Sequence, residues 1–91
     1  MRFSILIPSY NRADYLDKTL QSCINQTYSD VEFIVCDDAS TDHTQTIVER
    51  YVTRDSRFRY FKQNLNVGML DNFEHGINIA RGDYIFALGS E

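Results

Sequence analysis

The sequence is poor in the residues that mark several classes of protein. Its 91 residues include one proline, four glycines and two cysteines. So little proline and glycine excludes a collagen-like chain and a low-complexity disordered one. Two cysteines are too few for the disulfide framework of a small secreted domain. The formal net charge of -4 argues against a nucleic-acid-binding protein, because such proteins are usually basic.

Targeting and membrane signals are also lacking. No apolar run approaches the roughly 18 residues that a membrane span needs, and we expect no signal peptide before the strand-like segment that begins at Phe3. Cys23 falls on the apolar face of a predicted helix, and Cys36 ends a predicted buried strand. We therefore expect both to be reduced core residues. A cytoplasmic location is expected, with the inner face of the membrane as an alternative for the full-length protein.

The residues that are present suit one small domain with a single core. The chain is 43% hydrophobic and 13% aromatic, and no linker or repeat interrupts it, so we predict one domain over residues 1–91. Strand patterns cover residues 3–7, 31–36, 58–61 and 84–88, with helical patterns between them. This βαβαβαβ order predicts a three-layer α/β/α fold with a mostly parallel sheet.

Local signals predict the ends and faces of the helices. Asn11, with Asp14 three residues later, predicts the N-cap of the first helix, and Gly82 predicts a left-handed C-cap for the third. Arg57 and Arg59 belong to a basic cluster that we expect to be a solvated face. The apolar faces are predicted to consist of Leu16, Leu20, Cys23 and Ile24, then Ile47, Val48, Tyr51 and Val52, then Leu70, Phe73, Ile77 and Ala80.

Polar residues gather after the predicted strands, where ligands bind in parallel α/β sheets. The pair Asp37 and Asp38 is the most informative, because adjacent carboxylates after a buried strand repel each other. They need compensation from a ligand donor, a metal or a helix N-terminus. One interpretation is that a carboxylate here accepts the ring N–H of a uracil-like base. The other is that one of the pair caps the next turn. The local pattern leaves both open.

Longer runs carry a more specific signal. Residues 4–12 (SILIPSYNR), 26–28 (QTY) and 32–42 (EFIVCDDASTD) resemble the corresponding segments of family 2 glycosyltransferases. Asn66-x-Gly68, Gly76, Ala80 and residues 82–85 also fall at that family's spacing. The resemblance covers essentially the whole chain. It implies the Rossmann-like, nucleotide-binding half of a GT-A fold.

The resemblance also implies residue roles. Asp38, with Asp37 beside it, would contact the uracil or an equivalent base. Asn66 and Gly68 match the loop beside the nucleotide pocket, although an ordinary turn with a positive-φ glycine is the other interpretation. The nucleotide-binding residues implied in this way are Pro8, Ser9, Tyr10, Arg12, Asp37, Asp38, Asn66 and Gly68. Arg12 would approach the diphosphate, with an ion pair to a nearby carboxylate (Asp14 or Asp17) as the alternative.

The resemblance implies a divalent cation, Mn²⁺ or Mg²⁺, held by an acidic signature after the fourth strand. Glu91 takes the place of the acidic metal ligand, while Gly89 replaces the first expected Asp. Asn72 and Glu74 are further departures from the family pattern. The general base and the acceptor site would lie beyond Glu91. We therefore expect the 91 residues alone to bind nucleotide at most.

The activity implied by the resemblance is inverting transfer of a sugar from a nucleotide-diphosphate donor, expected to be a UDP-sugar, to an unknown acceptor. Cell-surface polysaccharide biosynthesis is the expected setting. A nucleotidyltransferase is disfavoured because the loop after the first strand has no glycine. A receiver-like signalling domain is disfavoured because the acidic pair follows the second strand. A non-catalytic interaction domain, with self-association through exposed edges, stays open.

Overall fold

The computed structural model describes residues 1–88, in which strands and helices alternate. All strands run parallel in one four-stranded sheet of order β3-β2-β1-β4. This confirms the predicted fold class. The elements are β1 (Phe3–Ser9), α1 (Ala13–Ile24), β2 (Val31–Asp37), α2 (Thr44–Arg54), β3 (Phe58–Lys62), α3 (Met69–Ile79) and β4 (Tyr84–Ala87).

The order of the strands places a switch point next to β1. The chain runs from β1 outward to β2 and β3, and then α3 returns it to the opposite side of β1, where β4 pairs. Open α/β sheets bind their ligands at the carboxyl ends of the strands beside such a switch point.

One face of the sheet carries the larger apolar core, beneath α1 and α2. Phe33 and Val35 of β2 pack there with Leu16 and Leu20 of α1 and Val48 of α2. The predicted faces of α1 and α2 are confirmed except at Val52, which is exposed. Burial of these side chains is the main apolar contribution to folding, at roughly 1.5–3 kcal/mol for each large residue.

The opposite face lies beneath α3, and here the predicted apolar side was only half right, because Phe73 and Ala80 pack against the sheet while the other two residues do not. Leu70 is 82% exposed and Ile77 is 39% exposed, whereas Asn72 and Gly76 are the buried residues of the helix. A Cβ atom at Gly76 would lie 2.6 Å from the Cys36 sulfur. The helix therefore approaches the sheet most closely at its glycine, and only part of its apolar side faces the sheet.

Asn72 makes this close approach polar. Its Nδ2 donates to the carbonyl of Cys36 over 2.7 Å, and its Oδ1 accepts from Gln63 Nε2 over 3.4 Å. Both Asn72 and Gln63 are buried. Their hydrogen bonds satisfy polar groups that would otherwise be costly to bury.

Two predicted helix caps were also wrong. Helix α1 begins at Ala13 with Arg12 in the capping position, because Asn11 adopts a left-handed conformation with φ of 50°. Helix α3 ends in an extended residue, Ala80, and Gly82 has no positive φ. Gly82 instead passes so close to β1 that a Cβ atom would lie 2.6 Å from the amide nitrogen of Ser4.

A buried charged network closes the α3 face at the amino end of the sheet. Glu32 is 1% exposed, and its carboxylate accepts from Ser4 Oγ (2.5 Å), Arg59 Nη1 (2.8 Å) and the Arg81 amide (2.5 Å). Burial acts to raise the pKa of Glu32, but these hydrogen bonds outweigh it and hold the pKa below the usual 4.5. The network fastens the segment between α3 and β4 to the sheet.

The predicted solvated basic face was wrong for two of its arginines. Arg59 pairs with the buried Glu32, as described above. Arg57 pairs with Asp55 at 2.8 Å and donates to the carbonyl oxygens of Ile24, Gln26 and Tyr28. It thereby satisfies the carboxyl end of α1 and the loop after it. None of the helices within residues 1–88 is long and apolar enough to span a membrane.

Candidate functional site at the carboxyl edge

The carboxyl ends of β1 and β2 meet at the predicted place. Ser9 and Asp37 are register partners at the last position of the two strands, and the amide of Asp38 donates to the carbonyl of Ser9 over 2.9 Å. Both aspartates and Ser9 are buried. The carboxyl edge of the sheet therefore contains buried polar side chains with little access to water.

Asp37 forms hydrogen bonds that stabilise this edge of the sheet. Its Oδ1 accepts from the Ser40 amide over 2.9 Å, and its Oδ2 accepts from the Tyr60 hydroxyl over 2.5 Å. Burial, together with this hydrogen bond to a carboxylate, raises the pKa of Tyr60. Asp37 therefore caps the turn after β2, which is one of the two roles predicted for the acidic pair. A contact between Asp37 and a nucleotide stays a prediction.

Asp38 joins two of the other predicted residues. Its carboxylate oxygens accept from the backbone amides of Val67 (2.8 Å) and Gly68 (3.0 Å), and its carbonyl accepts from Asn66 Nδ2 (3.2 Å). Gly68 has φ of 92°, which suits glycine, and it stands directly before α3. The carboxylate thus anchors the loop before α3 against the end of β2. Each oxygen keeps further acceptor capacity for a ligand N–H.

Ser9 carries the clearest sign of an unfilled contact. It is 5% exposed, and within residues 1–88 its Oγ is the buried side-chain oxygen or nitrogen without a hydrogen-bond partner. Nearly all such buried groups in native proteins are satisfied by protein or water. Tyr10 follows with an exposed ring, and Pro8 precedes it, half-buried. The predicted segment 8–10 therefore offers a buried hydroxyl beside an exposed aromatic face.

Arg12 lies apart from the Asp38 cluster, at the start of α1. Its guanidinium lies over the ring of Tyr15, 4.7 Å from the centroid, and forms no ion pair with Asp14 or Asp17 within the described chain. A cavity of about 300 Å³ opens here, and Arg12, Asp42 and His43 are among its lining residues. A role for Arg12 at a diphosphate stays a prediction.

Two residues that were not predicted to do so tie the first two loops together. Asn11 Oδ1 accepts from the Thr41 amide over 2.8 Å, and Asp42 Oδ2 accepts from the Ala13 amide over 3.2 Å. Burial acts to raise the pKa of Asp42, but hydrogen bonds from Thr44 and Ala13 outweigh it and lower the pKa. Asn and Asp are common in such loop contacts, but only the fold shows which backbone groups they reach.

The predicted metal ligand, Glu91, lies outside the described residues, as do Gly89 and Ser90. Among residues 1–88 there is no group of three His, Cys, Asp or Glu side chains suited to a metal ion. The described residues by themselves therefore do not make a metal site.

The fold is a three-layer α/β arrangement with buried polar residues at the carboxyl edge of its parallel sheet. The profile of glycosyl transferase family 2 matches residues 4–90. The chain therefore belongs to glycosyl transferase family 2.

Two relatives show how far the similarity extends. The Escherichia coli UDP-Glc:alpha-D-GlcNAc-diphosphoundecaprenol beta-1,3-glucosyltransferase WfaP is 39% identical over 97% of this chain and 34% of its own length. The structure of S. aureus TarS 1-349 in complex with UDP-GlcNAc has a TM-score of 0.91 and 29% identity, over 99% of this chain and 26% of that one.

A more distant structure has the same fold. The Pyrobaculum calidifontis mannosyltransferase PcManGT, in complex with GDP-Man and Mn²⁺, has a TM-score of 0.89 at 22% identity, over 98% of this chain and 27% of that one. The chain spans 35% or less of the curated relatives that it matches first.

Proposed function

We propose that the carboxyl-edge site binds the nucleoside diphosphate part of a sugar donor, and that the protein transfers the sugar to an acceptor. The observation that carries this proposal is the buried Asp38 carboxylate just past the end of β2, beside the end of β1, where the Ser9 hydroxyl is buried without a partner within residues 1–88. A donor to the carboxylate and an acceptor for the hydroxyl are what the edge of a pyrimidine or purine base presents. Family membership and the nucleotide-sugar complexes of TarS and PcManGT support it.

In this proposal the chain contributes binding and orientation. Tyr10 offers its exposed ring to the base or ribose, and Asp38 selects a base that carries a ring N–H. The transfer itself forms a bond between the acceptor oxygen and the anomeric carbon while the bond to the diphosphate breaks. The acceptor proton passes to a general base. We expect that base, and the acceptor site, outside residues 1–88.

We propose a UDP-sugar as the donor and a divalent cation at the diphosphate. WfaP, named for UDP-Glc, and the UDP-GlcNAc complex of TarS support uridine. The Mn²⁺ in the PcManGT structure supports the cation. Such a cation neutralises charge that builds up on the leaving diphosphate, and Glu91 is its proposed ligand in this chain.

Three further expectations remain proposals. A role in cell-surface polysaccharide biosynthesis is supported by WfaP, named for a diphosphoundecaprenol acceptor. A cytoplasmic location is supported by the free, buried thiols of Cys23 and Cys36. Self-association is supported by the exposed side chains of β4, among them Phe86 at the edge of the sheet.

Titration of UDP and GDP against the protein, with and without Mn²⁺, tests the site. We expect UDP to bind more tightly than GDP, and Asp38→Ala to weaken UDP binding by about tenfold or more, the loss expected for a charged hydrogen bond. Asp30→Ala is the matched control, because that carboxylate lies at the amino end of the sheet beside Met1. Absence of any nucleotide binding, or equal binding by Asp38→Ala and wild type, would contradict the proposal.

A further inference from the structure

Asn11 joins the loop after β1 to the loop after β2. Its Oδ1 accepts from the backbone amides of Thr41 (2.8 Å) and Asp42 (3.3 Å), and its own amide donates to Ser40 Oγ over 2.9 Å. The partners are 29 to 31 residues away along the chain. Asn11 itself is exposed and adds nothing to the apolar core. These contacts therefore position one loop against the other.

The backbone of both loops is held in an unusual conformation. Asn11 (φ 50°) and Ala39 (φ 62°) are the non-glycine residues of the described chain with positive φ. Each is next to a proposed nucleotide-binding residue, Tyr10 in one case and Asp38 in the other. Such conformations persist only where the surroundings enforce them, and they cluster at functional sites. Asparagine tolerates the left-handed region better than most residues, so Asn11 suits both the backbone and the contacts.

Asp42 makes a second contact between the two loops. Asp42 Oδ2 accepts from the Ala13 amide at the start of α1, while its Oδ1 accepts from the Thr44 amide (3.1 Å) and hydroxyl (2.5 Å) at the start of α2. One carboxylate thus caps two helices, and the Asn11 contact keeps Asp42 in reach of both. A shift of the Asn11 side chain would move Tyr10 and Asp38 relative to each other.

We propose that Asn11 is a positioning residue for nucleotide binding. Its carboxamide holds the two loops together so that Ser9, Tyr10 and Asp38 keep their relative places at the carboxyl edge. This inference rests on the proposed function, because it assigns to Asn11 the alignment of that same site. Asn11 acts through the loops and does not itself touch the base.

Three variants separate the backbone from the side chain. Asn11→Gly keeps the left-handed conformation without strain and removes the carboxamide, whereas Asn11→Asp keeps the Oδ1 acceptor. Tyr51→Phe is the control for stability, because it removes the hydroxyl that donates to Asp17 at the far side of α1. UDP affinity is measured by calorimetry for each, at a salt concentration that screens the charge added in Asn11→Asp, and thermal stability is measured in parallel.

We expect Asn11→Gly to raise the Kd for UDP by about tenfold, Asn11→Asp by less than about threefold, and Tyr51→Phe not to change it although it lowers the Tm. A residue that only stabilised the fold would change the Tm without changing the Kd of the folded protein. Wild-type affinity in Asn11→Gly, or an Asn11→Asp protein as weak as Asn11→Gly, would overturn the inference alone. Failure of the wild type to bind UDP would overturn the proposed function and the inference with it.

Discussion

The face of the sheet beneath α1 and α2 is closed by apolar contacts, whereas the face beneath α3 is closed mainly by hydrogen bonds and charge. On the first face, Phe33, Val48 and Leu20 belong to one continuous buried cluster. On the second, the buried apolar cluster of the described residues is smaller: Leu6, Ile34 and Cys36, with partly buried side chains of α3 packed against it. Glu32 and Asn72 are buried on the same face. Apolar contacts tolerate small shifts, but a buried polar network depends on every partner being present.

Removal of the central carboxylate is the strongest test of this comparison. Glu32→Ala leaves Arg59, the Ser4 hydroxyl and the Arg81 amide without their shared acceptor, so we expect a loss of about 3–5 kcal/mol in the free energy of unfolding. Urea denaturation measures it.

Glu49→Ala is the matched control, because this exposed carboxylate has only a 3.5 Å contact with Gln45. We expect a change within about 0.5 kcal/mol. Similar losses in the two variants would show that the α3 face does not depend on its charged network.

The close approach of α3 gives a second test. Gly76→Ala places a methyl group 2.6 Å from the Cys36 sulfur, and we expect the clash to exceed the gain in helix propensity by about 1–2 kcal/mol. The double variant with Cys36→Ala removes the atom that clashes and should recover part of the loss. Additive effects of the two substitutions would show that the helix can move outward, and that its glycine contact is not required.

Protonation of Glu32 at low pH should lower the free energy of unfolding, by roughly 1 kcal/mol in the first pH unit below 4.5. Because the pKa of Glu32 is lowered on folding, its contribution is complete above the unfolded value of 4.5 and falls as the pH decreases below it. Between pH 7 and about pH 4, the urea midpoint should decrease less in Glu32→Gln than in wild type. Asp42 and Asp55 also have lowered pKa values, from 3.8, and cause the acid loss that remains in the variant. Equal decreases in the urea midpoint of both proteins would show that groups other than Glu32 cause the acid sensitivity.

The sequence alone was sufficient for the element order, the parallel sheet and the α1 and α2 faces. Periodicity reports burial directly when a helix packs through apolar side chains, as Leu16 and Leu20 do. It was partly misleading for α3, because this helix packs through Gly76 and Asn72 as well as Phe73, and Leu70 is turned toward solvent. The nucleotide-binding residues taken from the family resemblance stay predictions, although the structure brings Ser9, Asp38 and Asn66 to one edge.

What the sequence determined by itself was the set of local preferences: strands rich in β-branched residues, polar residues at their carboxyl ends, and motifs that identify the family. The tertiary structure decided which distant groups those residues meet. The partners of Glu32, the loop contact of Asn11 and the two helices capped by Asp42 lie up to 49 residues apart. Hydrogen bonds across such separations depend on where the sheet places each loop, and no local pattern encodes that placement.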